Sequence, residues 1–155
     1  MSKGELIILL AEDDDGHATL INRNLRRAGV TDRLVRLRNG QELLDYIRSD
    51  GPLSERPEVG ALLVLLDIRM PRLDGMETLR QLKANSDTAT IPVYMLTTTD
   101  DPREVTRCFR EGCNAYVTKP VAYDEFAETI KRLASFIMAT KLPAWPVKPN
   151  GIING

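Results

Sequence analysis

Acidic side chains follow two apolar segments of this 155-residue chain. Glu12 and Asp13 come directly after residues 6–11, and Asp67 comes directly after residues 61–66. Carboxylates that meet in one crevice repel one another and lose hydration, so a fold that gathers them needs a cation between them. Mg²⁺ prefers a few carboxylates together with waters and phosphate oxygens. The pattern therefore predicts a Mg²⁺ site formed by Glu12, Asp13 and Asp67.

Phosphoryl transfer is the chemistry that these residue types suit. A carboxylate such as Asp67 is a weak nucleophile, but it can accept a phosphoryl group when a metal neutralises the developing charge. Lys119 follows the apolar residues 115–118, and Thr97 follows residues 92–96. At the same edge of a sheet, the lysine would pair with the transferred group and the threonine hydroxyl could donate a hydrogen bond to it.

The elements that must position these residues are short strands alternating with helices. Strands are predicted over residues 6–11, 33–38, 61–66, 92–96 and 115–118, and each is followed by a segment of helical period, the last over 124–140. This alternation predicts an α/β fold with a five-stranded parallel sheet between two layers of helices, a flavodoxin-like three-layer arrangement. The strand order 2-1-3-4-5 would open a crevice at the carboxyl ends of strands 1 and 3.

Composition excludes several classes of protein. The 21 basic and 22 acidic residues give a net charge of −1, so no overall field favours nucleic acid or anionic lipid. The longest apolar runs are far shorter than the roughly 20 residues of a membrane helix, and the N-terminus does not read as a signal peptide. Cys108 and Cys113 match no metal or redox spacing. We therefore expect a cytoplasmic protein with reduced thiols, no membrane span and no nucleic-acid partner.

The motifs at the strand ends resemble the receiver domain of two-component response regulators. The resemblance spans about residues 5–140 and is carried by Glu12-Asp13, Asp67, Met70-Pro71-x-x-Asp74-Gly75, Thr97 and Lys119-Pro120. In closer detail the chain is similar to single-domain regulators associated with bacterial and cyanobacterial phytochromes. The shared details are a Pro-bearing insertion before strand 3, Leu-Thr-Thr after strand 4, and Lys141-Leu142-Pro143. This divides the chain into a receiver domain, 1–142, and a Pro-rich C-terminal tail, 143–155.

The resemblance assigns roles at the site. It implies that Asp67 is the phosphoacceptor, that Asp13 and Asp67 bind Mg²⁺ through their carboxylates, and that Glu12 helps through water. The backbone carbonyl of Arg69 would complete the protein's share of the metal shell. Thr97 and Tyr116 would be the switch residues, the first following the phosphoryl group and the second swinging between outward and inward positions.

The resemblance also implies partners. The phosphoryl donor would be a sensor histidine kinase, here a bacteriophytochrome, whose histidine-bearing helices meet the first helix. The chain would signal by protein–protein contact as a homodimer, formed through the strand 4–helix 5 side and the C-terminal tail. It would not be an enzyme beyond its own Mg²⁺-dependent phosphorylation and dephosphorylation. Trp145 in the tail could either clasp a second subunit, which we favour, or fold back on its own domain.

Two other functions on related topologies fit the residues poorly. A phosphatase of the haloacid dehalogenase type needs a second acid two residues after its nucleophile, where this chain has Arg69. A flavodoxin needs a Ser/Thr/Gly-rich phosphate loop after strand 1, where this chain has four consecutive acids, residues 12–15. We expect the Arg69 guanidinium instead to reach or shield the phosphoryl oxygens.

Single residues outside these motifs have ordinary interpretations. Either Asp14 or Asp15 is expected to cap the first helix. His17 is expected to be an exposed bystander on a polar helix face. Cys108 is predicted to lie in the core, and Cys113 to be partly exposed.

Overall fold

The computed structural model describes residues 5–48 and 59–145, and five strands alternate with five helices along them. The elements are β1 (Glu5–Ala11), α1 (Asp15–Arg27), β2 (Arg33–Leu37), α2 (Gly40–Arg48), β3 (Val59–Leu66), α3 (Gly75–Ala84), β4 (Val93–Thr97), α4 (Pro102–Arg110), β5 (Ala115–Thr118) and α5 (Tyr123–Ala139). Within these residues no helix is both long enough and apolar enough to cross a membrane.

The sheet confirms the predicted topology. All strand pairs are parallel and the order is β2-β1-β3-β4-β5. β1 and β3 lie side by side in the middle of the sheet, where both faces are covered, which explains why their sequences lack a polar face. Their carboxyl ends are in register, with Ala11 opposite Leu66, so the residues that follow them emerge next to each other.

Alternate residues of each strand supply two cores, one on each face of the sheet. Ile7 and Leu9 of β1 pack with apolar residues of α2, α3 and α4. Ile8 and Leu10 pack with apolar residues of α1 and α5. The layers are therefore α1 and α5, then the sheet, then α2, α3 and α4, as the flavodoxin-like prediction requires.

Of the two predicted cysteine burials, one is confirmed and one is wrong. Cys108 of α4, predicted to lie in the core, is fully buried, whereas its neighbour Phe109 is 50% exposed. Cys113, expected to be partly exposed, is buried after the turn that ends α4, where its N–H donates to Cys108 O at 3.0 Å.

Trp145 lies on its own chain. Its backbone N–H donates to Gly60 O at 3.1 Å, its indole Nε1–H donates to Asp87 O at 2.9 Å, and its ring packs against the core on the α2–α3–α4 side of the sheet. This is the fold-back alternative for the residue. The rest of the predicted tail, 146–155, and most of the predicted loop before β3, 49–58, lie outside the described residues.

Candidate functional site

Three carboxylates meet at the carboxyl ends of β1 and β3. Glu12, Asp13 and Asp67 each offer one oxygen, and these oxygens all lie within 4.8 Å of one another. Glu12 and Asp67 are buried, whereas Asp13 is exposed at the mouth of the site. This donor set, hard oxygens open to solvent on one side, fits a Mg²⁺ ion that retains several waters.

The backbone on both sides of Asp67 is fixed. Its N–H donates to Ala11 O at 3.1 Å, and its Oδ1 accepts from the Ile68 N–H at 2.7 Å. Two residues at the start of α3 complete the loop: the Asp74 side chain accepts from the Glu77 N–H, and the Gly75 N–H donates to Ile68 O at 2.7 Å. The Asp-Gly motif therefore holds the loop that carries the Asp67 carboxylate.

The Lys119 ammonium bridges two of the carboxylates from the end of β5. Its Nζ lies 2.5 Å from Glu12 Oε1 and 3.3 Å from Asp67 Oδ2. The residue is only 2% exposed, so its charge is compensated inside the protein rather than by solvent. This position lets the same ammonium pair with a group added to Asp67.

The hydroxyl of Thr97 is buried at the end of β4. Among the residues that the structure describes, its Oγ1 has no hydrogen-bond partner. A buried hydroxyl without a partner is uncommon in folded proteins and needs an explanation. The backbone beside it is tied to the lysine strand, because the Lys119 N–H donates to Thr97 O at 2.6 Å.

Burial controls the ionisation of Glu12. Desolvation raises the pKa of this carboxyl, and the Lys119 hydrogen bond and charge act in the opposite direction. On the exposed side, the backbone N–H of His17 donates to the Asp14 side chain at 2.9 Å and lowers the pKa of that carboxyl. Asp14 is thus the N-cap of α1, one of the two candidates that the sequence offered. Asp15 instead pairs with Arg36 of β2 and with Arg38.

Arg69 stands at the rim of the site. Its exposed side chain lines a cavity of about 500 Å³, which is also lined by Asp13 and by Glu104 and Arg107 of α4. Arg69 and Asp13 therefore line the same open cavity.

Tyr116 of β5 is held by one polar contact. Its hydroxyl donates to Thr99 O at 2.7 Å, two residues beyond Thr97. Burial raises the pKa of Tyr116 to about 12, so the hydroxyl remains a donor at neutral pH. The tyrosine thus links β5 to the loop that follows β4.

His17 is the site residue that the sequence did not identify. It is not a bystander: its Nδ1 lies 3.1 Å from Lys119 Nζ, and its side chain is 35% exposed. The available signal was its place one turn into α1, directly after the acidic run. The first turn of a helix that starts at a strand end lies over the ends of the neighbouring strands.

Comparison with known proteins agrees with this geometry. The model of the response regulator receiver domain family matches residues 8–131. A receiver domain structure from Rhodospirillum rubrum is 43% identical, with a TM-score of 0.80, and the match covers 88% of this chain and 96% of that one.

Two cyanobacterial regulators are also similar. Response regulator Rcp1 of Synechocystis is 30% identical over 139 residues, which are 89% of this chain and 93% of Rcp1. The structure of its Mn²⁺-bound form has a TM-score of 0.80 at 29% identity, covering 89% and 99% of the two chains. The phosphorylated cyanobacterial phytochrome response regulator RcpA has a TM-score of 0.79 at 26% identity, covering 92% and 99%. The chain belongs to the response regulator receiver domain family.

Proposed function

We propose that this chain is a response regulator that accepts a phosphoryl group on Asp67 and signals through protein–protein contacts. The observation that carries the proposal is the buried Lys119 ammonium between Glu12 and Asp67, next to a buried Thr97 hydroxyl that has no partner in the described residues. A receiver domain over 1–142 would hold this site, and residues 143–155 would form the tail.

In the proposed reaction an Asp67 carboxylate oxygen forms a bond to phosphorus. The donor's own bond to phosphorus breaks, and its electron pair leaves with the imidazole of a phosphohistidine or with the acetate of acetyl phosphate. The product is an acyl phosphate on Asp67. Lys119, already 3.3 Å from Asp67 Oδ2, would pair with the new oxygens, and the Thr97 hydroxyl would gain them as acceptors.

Mg²⁺ is the proposed cofactor. When bound, it would neutralise the charge that develops on the phosphoryl oxygens. Asp13 and Asp67 would hold it through their carboxylates, Glu12 through water, and Arg69 through its backbone carbonyl. The carboxylate oxygens within 4.8 Å of one another support this, as does the Mn²⁺-bound form of the similar Rcp1.

Thr97 and Tyr116 are the proposed switch residues. A hydrogen bond from the Thr97 hydroxyl to the phosphoryl group would draw the β4–α4 loop toward the site. The Tyr116 hydroxyl is bonded to Thr99 O in the same loop, so a loop movement would break or move this contact. Phosphorylation would in this way change the surface around β4, α4 and β5.

A sensor histidine kinase, specifically a bacteriophytochrome, is the proposed donor. The similarity to RcpA supports the phytochrome link. A basic sector next to the acidic site, the six arginines between Arg23 and Arg38, would help steer an acidic partner surface. The net charge of −1 is consistent with a cytoplasmic protein that does not bind nucleic acid.

A homodimer through the β4–α5 side is the proposed assembly. On this side, Phe136 of α5 is 50% exposed and lines a groove of about 400 Å³ with Tyr116 and Val117. Exposed aromatic rings beside an open groove are typical of contact surfaces. The tail would add to this contact through residues beyond Trp145. The groove contains Tyr116, so the switch and the contact surface would overlap.

The test is a labelling time course with acetyl phosphate, followed by intact mass. One phosphoryl group is expected on the wild-type chain in Mg²⁺, and none with EDTA or in Asp67→Asn. Asp45→Asn is the matched control, because Asp45 is an exposed aspartate of α2 whose side chain accepts a hydrogen bond from Gln41. Equal labelling of the Asp67→Asn and wild-type chains would overturn the proposal, and so would the absence of labelling by acetyl phosphate and by a histidine kinase alike.

A further inference from the structure

His17 of α1 contacts the candidate site at the Lys119 ammonium. α1 begins at Asp15. Its first turn, which carries His17, is fixed by the His17 backbone N–H, which donates to the Asp14 side chain. The imidazole ring lies against the buried Phe126 ring of α5, with centroids 5.7 Å apart and planes at 39°. Its Nδ1 faces Lys119 Nζ at 3.1 Å. The ring is therefore held between an apolar wall and the lysine.

The charge of Lys119 decides the direction of this hydrogen bond. An ammonium has three N–H donors and no acceptor, so the Nδ1 atom must be the acceptor. The ring proton of the neutral imidazole is then on Nε2. The ammonium has three such partners, Glu12 Oε1, Asp67 Oδ2 and His17 Nδ1, which is one for each N–H.

We propose that His17 is a positioning residue for phosphoryl transfer, whose Nδ1 holds the Lys119 ammonium between Glu12 and Asp67. This inference rests on the function proposed above. It adds a residue of α1 to the site, and its test can succeed or fail separately from that of Asp67.

The geometry explains why a third partner is needed. Lys119 Nζ is closer to Glu12, at 2.5 Å, than to Asp67, at 3.3 Å. Without the His17 acceptor, one N–H of a buried ammonium has no partner, and the remaining strong contact draws the group toward Glu12. Lys119 would then lie farther from the oxygens of the group transferred to Asp67.

The kinetic test separates the acceptor from the bulk of the side chain. His17→Leu keeps an apolar contact with Phe126 but removes the acceptor, whereas His17→Asn carries an oxygen the same number of bonds from the backbone as Nδ1. We expect His17→Leu to lower the maximal rate of labelling by acetyl phosphate about tenfold, the effect of one lost hydrogen bond to a charged group. His17→Asn should restore that rate to within about threefold of wild type.

Labelling should still require Mg²⁺ in either variant, because Glu12, Asp13 and Asp67 are all retained. Thr19→Leu, on an exposed position of the same helix, is the matched control and should label like wild type. A His17→Leu rate within about twofold of wild type overturns the proposal. So does a His17→Asn rate no better than that of His17→Leu.

A second measurement does not depend on whether a His17 variant folds. Nitrogen NMR of the imidazole in the wild-type chain should show an unprotonated Nδ1 and a protonated Nε2, and Lys119→Met should remove this preference. A protonated Nδ1 on a neutral ring overturns the proposal. If the wild-type chain is never labelled, or is labelled without Asp67, the proposed function fails, and the tautomer still reports whether the hydrogen bond exists.

Discussion

Replacing Gly75 by alanine should displace the loop that carries Asp67. A Cβ on Gly75 would lie 2.0 Å from Asp67 O, 2.7 Å from Ile68 Cα and 2.8 Å from Asp67 C. These are backbone atoms, which cannot rotate away as the end of a side chain can. Ordinary contact begins at 3.4 Å, so α3 and the loop must separate by about 1.4 Å.

This separation should lower the free energy of unfolding and slow labelling. Overpacking of this kind costs about 1–3 kcal/mol, and losing the Gly75 N–H to Ile68 O bond costs about 1 kcal/mol more. Alanine returns up to about 1 kcal/mol through its better helix propensity. The net expectation is a loss of roughly 1–3 kcal/mol. A displacement of about 1 Å at Asp67 should also slow labelling by on the order of 100-fold.

Urea unfolding and the acetyl phosphate time course measure these two effects. Gly16→Ala is the control, because it lies in the first turn of α1 and its Cβ would meet one side-chain oxygen, Asp14 Oδ1, at 3.2 Å. It should change the free energy of unfolding by less than about 1 kcal/mol. If Gly75→Ala unfolded at the wild-type urea concentration and labelled at the wild-type rate, the packing argument would be refuted.

Three further perturbations have defined outcomes. Burial raises the pKa of Cys108 to about 12 from about 9, so the unfolded chain loses this thiol proton first, and stability falls as pH rises from 9 toward 12. Between pH 8 and 10, the free energy of unfolding measured in urea should fall by about 1 kcal/mol more for the wild-type chain than for Cys108→Ala. Trp145→Phe removes the indole bond to Asp87 O and should cost about 1 kcal/mol of unfolding free energy, with labelling unchanged. Arg69→Ala should speed the decay of the phosphorylated chain about two- to fivefold, whereas Arg110→Ala, exposed on α4, should not. An unchanged decay rate would exclude a shielding role for Arg69.

The sheet and the residues at its carboxyl edge were predictable because their signals are local. β1 and β3 are continuous apolar runs since both of their faces are buried, and the alternation of strands with helices restricts the strand order. Parallel strands present their carboxyl ends at one edge, so Glu12, Asp13 and Asp67 could be placed together from their positions in the chain alone.

The contacts among side chains depend on how separate elements pack, and local patterns carry little of that information. Lys119 meets Glu12, His17 and Asp67 across 107, 102 and 52 residues, so its three partners follow from how α1 and β5 approach the carboxyl ends of β1 and β3. A residue on the polar face of a helix can be exposed, or it can reach a neighbouring strand end as His17 does. The spacing of the sequence does not distinguish these two cases. Cys113 is similar: it is buried because the turn after α4 folds back on the core, a consequence of packing that the turn's own residues do not encode.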